Sequence, residues 1–184
     1  MARKSGDADI EFNGSLLIPG FSIYLMEVEN QNGKRHFYIG MTGDSFYPSA
    51  RAAFHRLSGH LEKKNRSTQN QLWKAIEKKI GIKKVGEYAS LTFKMYHFPI
   101  PGFNEWKKDK ETDTLHFENI KKKMGTTAYK DYKNVQSEVF LLEKNLINSF
   151  DKEKLLNKTT TLQSDFDFGR FTDIYKKIRK IINK

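Results

Sequence analysis

Residues 20–45 read GFSIYLMEVENQNGKRHFYIGMTGDS, and the apolar pattern of this stretch decides the fold. Two apolar segments lie on either side of the pair Asn32-Gly33. An Asn-Gly pair favours the positive backbone angles of a tight turn between antiparallel strands. The stretch therefore predicts a β-hairpin that carries Tyr24 on one strand and Tyr38 on the other. Considered singly, each tyrosine is most simply explained as a packing residue of its strand.

Helical spacing follows the hairpin along the chain. Apolar residues recur three and four positions apart in two segments, with Ser49 as a suitable N-cap for the first helix and Gly81 as a stop for the second. These apolar positions are Ala50, Ala53, Phe54, Leu57 and Leu61 in the first helix, and Leu72, Trp73, Ile76 and Ile80 in the second. Residues 87–98 then alternate between apolar and polar side chains, which predicts a third strand.

Two more helices are predicted in the second half of the chain. One covers residues 135–150, and the other lies in residues 171–184, where it is expected to dock on the rest of the protein. Their apolar positions are Val139, Leu142, Leu146 and Phe150 in the former, and Ile174, Ile178, Ile181 and Ile182 in the latter. The former also carries two glutamates, Glu138 and Glu143.

These elements predict a fold of the α/β (α+β) class, a small three-stranded antiparallel sheet flanked by helices. We expect residues 1–15 to be a flexible N-terminal arm. The folded domain is predicted to span residues 16–158 and to contain an insertion at residues 99–133. Residues 159–184 are predicted to be a basic helical extension at the C-terminus.

Composition narrows the possible partners and chemistry. The 184 residues suffice for one domain, and 33 Lys plus Arg against 22 Asp plus Glu give a net charge of +11. Such a charge suits a polyanion such as nucleic acid, although lysine-rich surfaces are common in proteins without this role. The absence of cysteine excludes disulfides and thiolate zinc sites. The start of the chain lacks an apolar signal core and no stretch is long enough to span a bilayer, which predicts a cytoplasmic protein without a membrane partner.

The motifs of the chain and their order resemble the GIY-YIG nuclease superfamily. The sequence SIY at residues 22–24 corresponds to the first family motif, and YIG at residues 38–40 matches the second. The sequence RLSGH at residues 56–60 is similar to the helix motif, and NQLWKAI at residues 70–76 to the second helix. LLEKNLI at residues 141–147 is similar to the glutamate helix of the excision-repair incision subunit.

The resemblance implies hydrolysis of a phosphodiester bond assisted by one divalent metal ion per active site, Mg²⁺ or Mn²⁺. Glu143 would be the metal ligand, because a carboxylate is the hard oxygen donor that Mg²⁺ prefers. Arg56 would neutralise the scissile phosphate. Tyr24 is the candidate to activate water and Tyr38 to orient it, while His60 would bind phosphate or assist proton transfer. Because an unperturbed phenol has a pKa of about 10, Tyr24 needs the metal or Arg56 to favour its phenolate.

A second arginine-histidine pair leaves the identity of the catalytic pair open. Arg51 and His55 have the same spacing as Arg56 and His60, and helical periodicity does not choose between the pairs. Similarity to the family favours Arg56 and His60. The predicted substrate-binding residues are Arg51, His55, Asn70 and Asn157. Ser22 stands where the first motif has glycine, a mild change if its hydroxyl points to solvent.

The predicted function is a stand-alone endonuclease that acts on single- or double-stranded DNA in restriction, defence or repair, with a homodimer as a possible assembly. The alternative is a catalytically inactive nucleic-acid-binding protein that keeps the nuclease fold. Glu143 distinguishes these hypotheses, because binding needs cations and does not need a carboxylate beside phosphate.

Overall fold

A computed structural model of the protein describes residues 11–18, 20–43, 52–61, 71–100, 125–158 and 167–184. Several predicted features lie outside these residues: the first ten positions of the arm, the Ser49 cap, and residues 101–124 of the insertion. Near the start, Phe12 stacks on Phe54 with ring centroids 4.9 Å apart, so the last part of the predicted arm packs against the first helix.

The predicted three-stranded antiparallel sheet is confirmed. Its strands are β1 (Ser22–Glu29), β2 (Arg35–Thr42) and β3 (Thr92–Pro99), in the order β2-β1-β3. The hairpin between β1 and β2 turns where the Asn-Gly pair predicts, and Gly33 has a φ of +73° that few other residues adopt. Both neighbours of the central strand are antiparallel to it.

The prediction that the third strand begins at residue 87 is wrong. Val85–Ser90 forms a 3₁₀ helix, and β3 begins only at Thr92. The reason is local, because the Glu87 carboxylate accepts hydrogen bonds from the backbone N–H groups of Lys83 and Lys84 at 3.0 and 3.1 Å. These hydrogen bonds close a turn at residues where the alternating pattern alone predicts an extended strand.

Four α-helices surround the sheet in the described parts of the chain. They are α1 (Ala53–Leu61), α2 (Gln71–Lys79), α3 (Gly125–Asn148) and α4 (Thr172–Ile182). The helix predicted from residue 135 begins ten residues earlier, at Gly125. Tyr132 explains part of the difference, because its side chain is buried against Phe21 although it falls outside the aliphatic pattern used for the prediction. The predicted docking of the last helix is confirmed by the burial of Ile178 and Ile182.

The sheet is buried on both faces. Odd-numbered residues of β1 and β2, such as Ile23 and Ile39, enter a core with α3 and α4, whereas Tyr24 and Tyr38 enter a second core with α2. Successive side chains of a strand point to opposite faces, and the register pairs Tyr38 with Met26, two residues from Tyr24, so the two tyrosines lie on one side. Within the described part of the chain, none of the helices has the length and apolarity to cross a bilayer.

The Ser22 hydroxyl does not point to solvent, so the condition under which its replacement of glycine would be mild is not met. The Ser22 side chain is buried, and its Oγ lies 2.9 Å from the Oγ1 of Thr42 on the neighbouring strand. Thr42 also donates a hydrogen bond of 2.5 Å to the carbonyl of Gly20 and accepts one of 2.7 Å from the Ser22 N–H. A hydroxyl at this position is therefore satisfied inside the protein.

Candidate active site

The site begins with the close approach of Tyr24 to Gly40. These residues are partners across β1 and β2, and the Tyr24 ring lies over the glycine. A methyl group added at Gly40 would overlap the Cζ and the hydroxyl oxygen of this ring. The glycine of the YIG sequence therefore provides the space in which the tyrosine of the SIY sequence lies.

Helix α1 places a histidine and an arginine beside the two tyrosines. The His60 Nε2 lies 2.6 Å from the Tyr24 hydroxyl, and the His60 ring meets the Tyr38 ring edge-on at a centroid distance of 5.2 Å. Arg56, one helical turn before His60, lies on the same face of the helix and lowers the pKa of Tyr24 through its charge and a side-chain hydrogen bond. Geometry therefore brings the pair Arg56 and His60 to the tyrosines.

Of the other pair and Asn70, only His55 lies in the described part of the chain. His55 is exposed on α1, on a different side from His60. Arg51 and Asn70 lie outside the described residues.

Glu143 reaches the cluster around the free edge of β2. Its carboxylate accepts a hydrogen bond from the backbone of Met41, the residue that follows the YIG sequence. Two other outward groups of the same edge are also covered, since the Phe37 N–H donates to the Lys154 carbonyl at 2.8 Å and the Ile39 N–H to the Asn157 side chain at 2.8 Å. An edge strand needs such partners for its unpaired backbone groups. At this edge the Met41 backbone takes the Glu143 carboxylate as its partner, which holds the carboxylate beside the two phenols.

Asn157 has a backbone role that the substrate-binding prediction did not include. Its Oδ1 accepts from the Ile39 N–H, and its Nδ2 donates to the Ile39 carbonyl at 2.7 Å. Both ends of the amide are therefore engaged with β2. Asn157 positions the strand segment that carries Tyr38, although it also lines the groove beside it.

Burial dominates the ionisation of the site. It raises the pKa of Tyr24 well above that of an ordinary phenol, Tyr38 adds to the rise, and Arg56 opposes it. Burial also raises the pKa of Tyr38 and brings the pKa of Glu143 to about 7. Of the two groups that could favour a Tyr24 phenolate, the metal and Arg56, Arg56 does not suffice by itself, because desolvation of the charged form outweighs the cation.

Two grooves meet at Glu143. The first, which we call the lysine groove, has a volume of about 680 Å³ and is lined by Tyr38, Phe140 and Glu143 together with lysines. Those lysines are Lys74, Lys78, Lys79, Lys144 and Lys158. The second, which we call the arginine groove, has a volume of about 620 Å³, and Arg56 lines it together with Phe140, Leu141 and Glu143. Glu143 and Phe140 line both grooves.

The sequence interpretation did not identify the groove lysines or Phe140. Lys74 and Lys78 are four residues apart on α2, so their shared face was a usable signal. Phe140 was detectable as an aromatic outside the apolar register of its helix. Both features are common on protein surfaces, and only the position of Glu143 makes them part of a site.

The residues present fit a single divalent cation. Glu143 is a largely buried carboxylate whose pKa burial raises, and the charges of Arg56 and Lys144 oppose this rise only in part. Among the described residues there is no cluster of three or more histidine, aspartate or glutamate side chains that could hold a metal. Mg²⁺ commonly uses one or two protein carboxylates and completes its shell with water and phosphate oxygens.

Comparisons of the chain with protein-family models, with curated proteins and with solved structures find no match. The functional proposal therefore rests on the side chains of the site and on the motif resemblance.

Proposed function

We propose that the chain is a metal-dependent endonuclease of the GIY-YIG type that hydrolyses phosphodiester bonds in DNA, with a role in restriction, defence or repair. One observation carries the proposal, the meeting of phenol, imidazole, guanidinium and carboxylate groups where the two grooves join. These groups belong to Tyr24, Tyr38, Arg56, His60 and Glu143. Together they offer what attack on a phosphodiester requires, namely an oriented water, neutralisation of the transition state and a site for a cation.

Arg56 is the group that meets the scissile phosphate. It lines the arginine groove next to Glu143, so its guanidinium can face a phosphate in the groove. A guanidinium keeps its charge at every relevant pH and binds two phosphate oxygens in a fixed geometry. Arg56 therefore stabilises the extra negative charge that develops as the water attacks.

Tyr38 keeps the water-orienting role that the motif resemblance implied, whereas Tyr24 supports His60 and does not activate the water. Tyr24 is 1% exposed, whereas Tyr38 is 8% exposed and lines the lysine groove. Tyr38 is therefore the phenol that touches the attacking water, and its raised pKa keeps it protonated, so that it orients the water by hydrogen bonding. Tyr24 lies behind it and holds His60 through the bond to Nε2.

Glu143, at the junction of the grooves, would hold the cation, Mg²⁺ or Mn²⁺. When bound, this ion supplies a Lewis acid that lowers the pKa of the attacking water and neutralises phosphate oxygens. His60 is the imidazole nearest to both phenols, and because both phenols stay protonated, the proton of the attacking water would pass to the solvent in the groove. The lysine groove holds the backbone of the DNA on one side of the cut.

The proposal is tested by cleavage of circular single-stranded DNA and supercoiled duplex DNA in the presence of Mg²⁺. Glu143→Gln keeps an oxygen that can accept from the Met41 backbone while it removes the charge, so we expect cleavage to fall roughly 10²- to 10³-fold with DNA affinity nearly unchanged. Glu138→Gln is the matched control, because Glu138 is an exposed residue of the same helix paired with Arg170. This control should cut like the wild type.

The rival function is binding of nucleic acid without catalysis, which the net charge of +11 and the lysine groove also favour. Under this rival function, the wild-type protein binds DNA but cuts neither single-stranded nor double-stranded DNA with any divalent metal. Absence of cleavage of both DNA and RNA would contradict the nuclease proposal.

A further inference from the structure

Helix α3 exposes apolar side chains immediately beside the candidate metal ligand. Val139 and Leu142 are buried, as the apolar register of the helix predicts. Phe140 and Leu141 instead remain 46% and 41% exposed. Much of the Phe140 ring is therefore not buried in the core.

Phe140 lies where the substrate would pass. It lines both the lysine groove and the arginine groove, and so does Glu143. The two residues are three positions apart on a helix, a spacing that puts their side chains on one face. A strand that brings a phosphate to Glu143 therefore also brings a nucleotide against Phe140.

A cation accompanies the ring. The Lys144 Nζ lies 4.1 Å from the centroid of the Phe140 ring, within the distance of a cation–π contact. The contact steadies the ring and pairs a flat apolar surface with a positive charge. A nucleotide has the complementary pair, a base with an aromatic face and a phosphate.

We propose that Phe140 is a stacking platform for an unpaired nucleobase next to the scissile phosphate. The site would then prefer single-stranded DNA, or a nucleotide turned out of a duplex, to an intact duplex. The physical reason is that neighbouring pairs cover the faces of a base inside a duplex, whereas an unpaired base has a face free for an aromatic side chain. This inference rests on the proposed nuclease function and names its substrate class.

The test measures binding in a Glu143→Gln background with Mg²⁺, where the substrate stays intact. The probe is a strand of about twelve nucleotides that contains 2-aminopurine, whose fluorescence falls when it stacks, used alone and in a duplex. Adding Phe140→Ala should weaken single-strand binding on the order of 10- to 100-fold, abolish the quenching and leave duplex binding nearly unchanged. Phe140→Trp should retain both affinity and quenching.

Two controls separate stacking from a general apolar contact. Phe140→Leu keeps an apolar side chain without a ring and should lose the quenching. Phe12→Ala removes another exposed aromatic residue, one that lines neither groove, and should leave binding unchanged. The platform is overturned if Phe140→Ala weakens single-strand and duplex binding equally, or if Phe140→Leu binds and quenches like the parent protein.

The cleavage assay separates failure of this inference from failure of the nuclease proposal. If the wild type cuts single-stranded and duplex DNA equally and Phe140→Ala has no effect, the stacking platform fails and the nuclease proposal stands. If the protein binds the probe with quenching that depends on Phe140 but cleaves no DNA, the nuclease proposal fails and the stacking platform stands.

Discussion

At the scale of single residues, Glu143 is a carboxylate that the fold places in a largely buried environment, where its charged form is unfavourable. The carboxylate is largely desolvated, which raises its pKa to about 7, while Arg56, the Met41 backbone and Lys144 act in the opposite direction. A carboxylate in an ordinary surface position would not need these partners. Because the pKa of Glu143 differs between the folded and unfolded states, the free energy of unfolding depends on pH.

We predict that Glu143→Gln stabilises the metal-free protein at pH 8 and not at pH 5. Between 4.5, the reference pKa of a glutamate, and about 7, the folded wild type holds a proton that the unfolded chain has released. The stability of the wild type therefore falls as pH rises through this window, and the variant lacks that slope. The difference should reach on the order of 2–3 kcal/mol, measured by urea unfolding in EDTA.

Addition of Mg²⁺ at pH 8 supplies the control. It should raise the stability of the wild type and not that of the variant, because a ligand stabilises only the protein that binds it. A difference in stability that stays constant from pH 5 to pH 8 would contradict the assigned burial of this charge.

The two tyrosines make a second prediction at this scale. Tyr38→Phe removes the hydroxyl in the lysine groove and should slow cleavage by roughly 10² or more. Tyr24→Phe removes the hydrogen bond to His60, keeps the buried ring, and should slow cleavage less. Rates under single-turnover conditions, with DNA affinity measured in parallel, check this order. A larger loss for Tyr24→Phe would restore the original assignment of Tyr24 as the residue that meets water.

At the scale of elements, the hairpin and the segment after α3 build the site together. The β1–β2 pair supplies the two phenols, and the Tyr24 ring occupies the space above Gly40. The free edge of β2 then engages the segment after α3, where Leu155 forms a parallel bridge with Phe37. These contacts bring α3, and with it Glu143, to the end of β2.

We predict that Gly40→Ala destabilises the protein by about 1–3 kcal/mol, the usual cost of overpacking a buried site. The added methyl overlaps a ring that the surrounding core holds in place, so cleavage should fall as Tyr24 and His60 shift. Gly86→Ala is the matched control, because a methyl there meets nothing within 4 Å. Chemical denaturation and cleavage rates of the two variants check the prediction, and equal stabilities would contradict the described position of Tyr24.

At the scale of the whole molecule, the two faces of the sheet support different tasks. One face carries a core with α3 and α4, and the other carries the phenols. A charged network ties the last helix to the sheet: Glu27 accepts from Arg35 Nε at 2.7 Å and from the Tyr96 hydroxyl at 2.9 Å, and Arg35 Nη2 donates to the Ile181 carbonyl at 3.2 Å. Burial of Glu27 opposes its ionisation, but these hydrogen bonds lower its pKa overall. The last helix is thus part of the folded core.

We predict that Ile178→Ala destabilises the whole protein by about 2–5 kcal/mol, the cost of a cavity at a fully buried position. Urea unfolding should show one transition, because α4 shares its core with the sheet. Ile18→Ala, at a residue that is 59% exposed, is the control and should have little effect. Separate melting of α4, with the remaining helices and the sheet intact, would contradict the common core.

Prediction from sequence succeeded where local patterns carry the information. The Asn-Gly turn and the apolar stripe of α2 follow from backbone preferences and from helical periodicity. It failed where a side chain acts on a distant or unusual partner: Glu87 closes a turn inside an apparent strand, and Tyr132 extends α3 beyond its aliphatic pattern. Asn157 likewise proved to hold the backbone of β2.

The sequence by itself determined that Tyr24 and Tyr38 lie on the two strands of one hairpin, because an Asn-Gly turn joins two apolar segments. That the two rings share a face follows from the register, in which Tyr38 lies opposite Met26. The sequence also determined that Arg56 and His60 share a face of a helix. Only the tertiary structure decided that Glu143 reaches these groups, since that contact depends on how α3 crosses the edge of β2. It alone decided the pKa directions as well, because desolvation depends on everything packed around a group and not on the residues beside it in the chain.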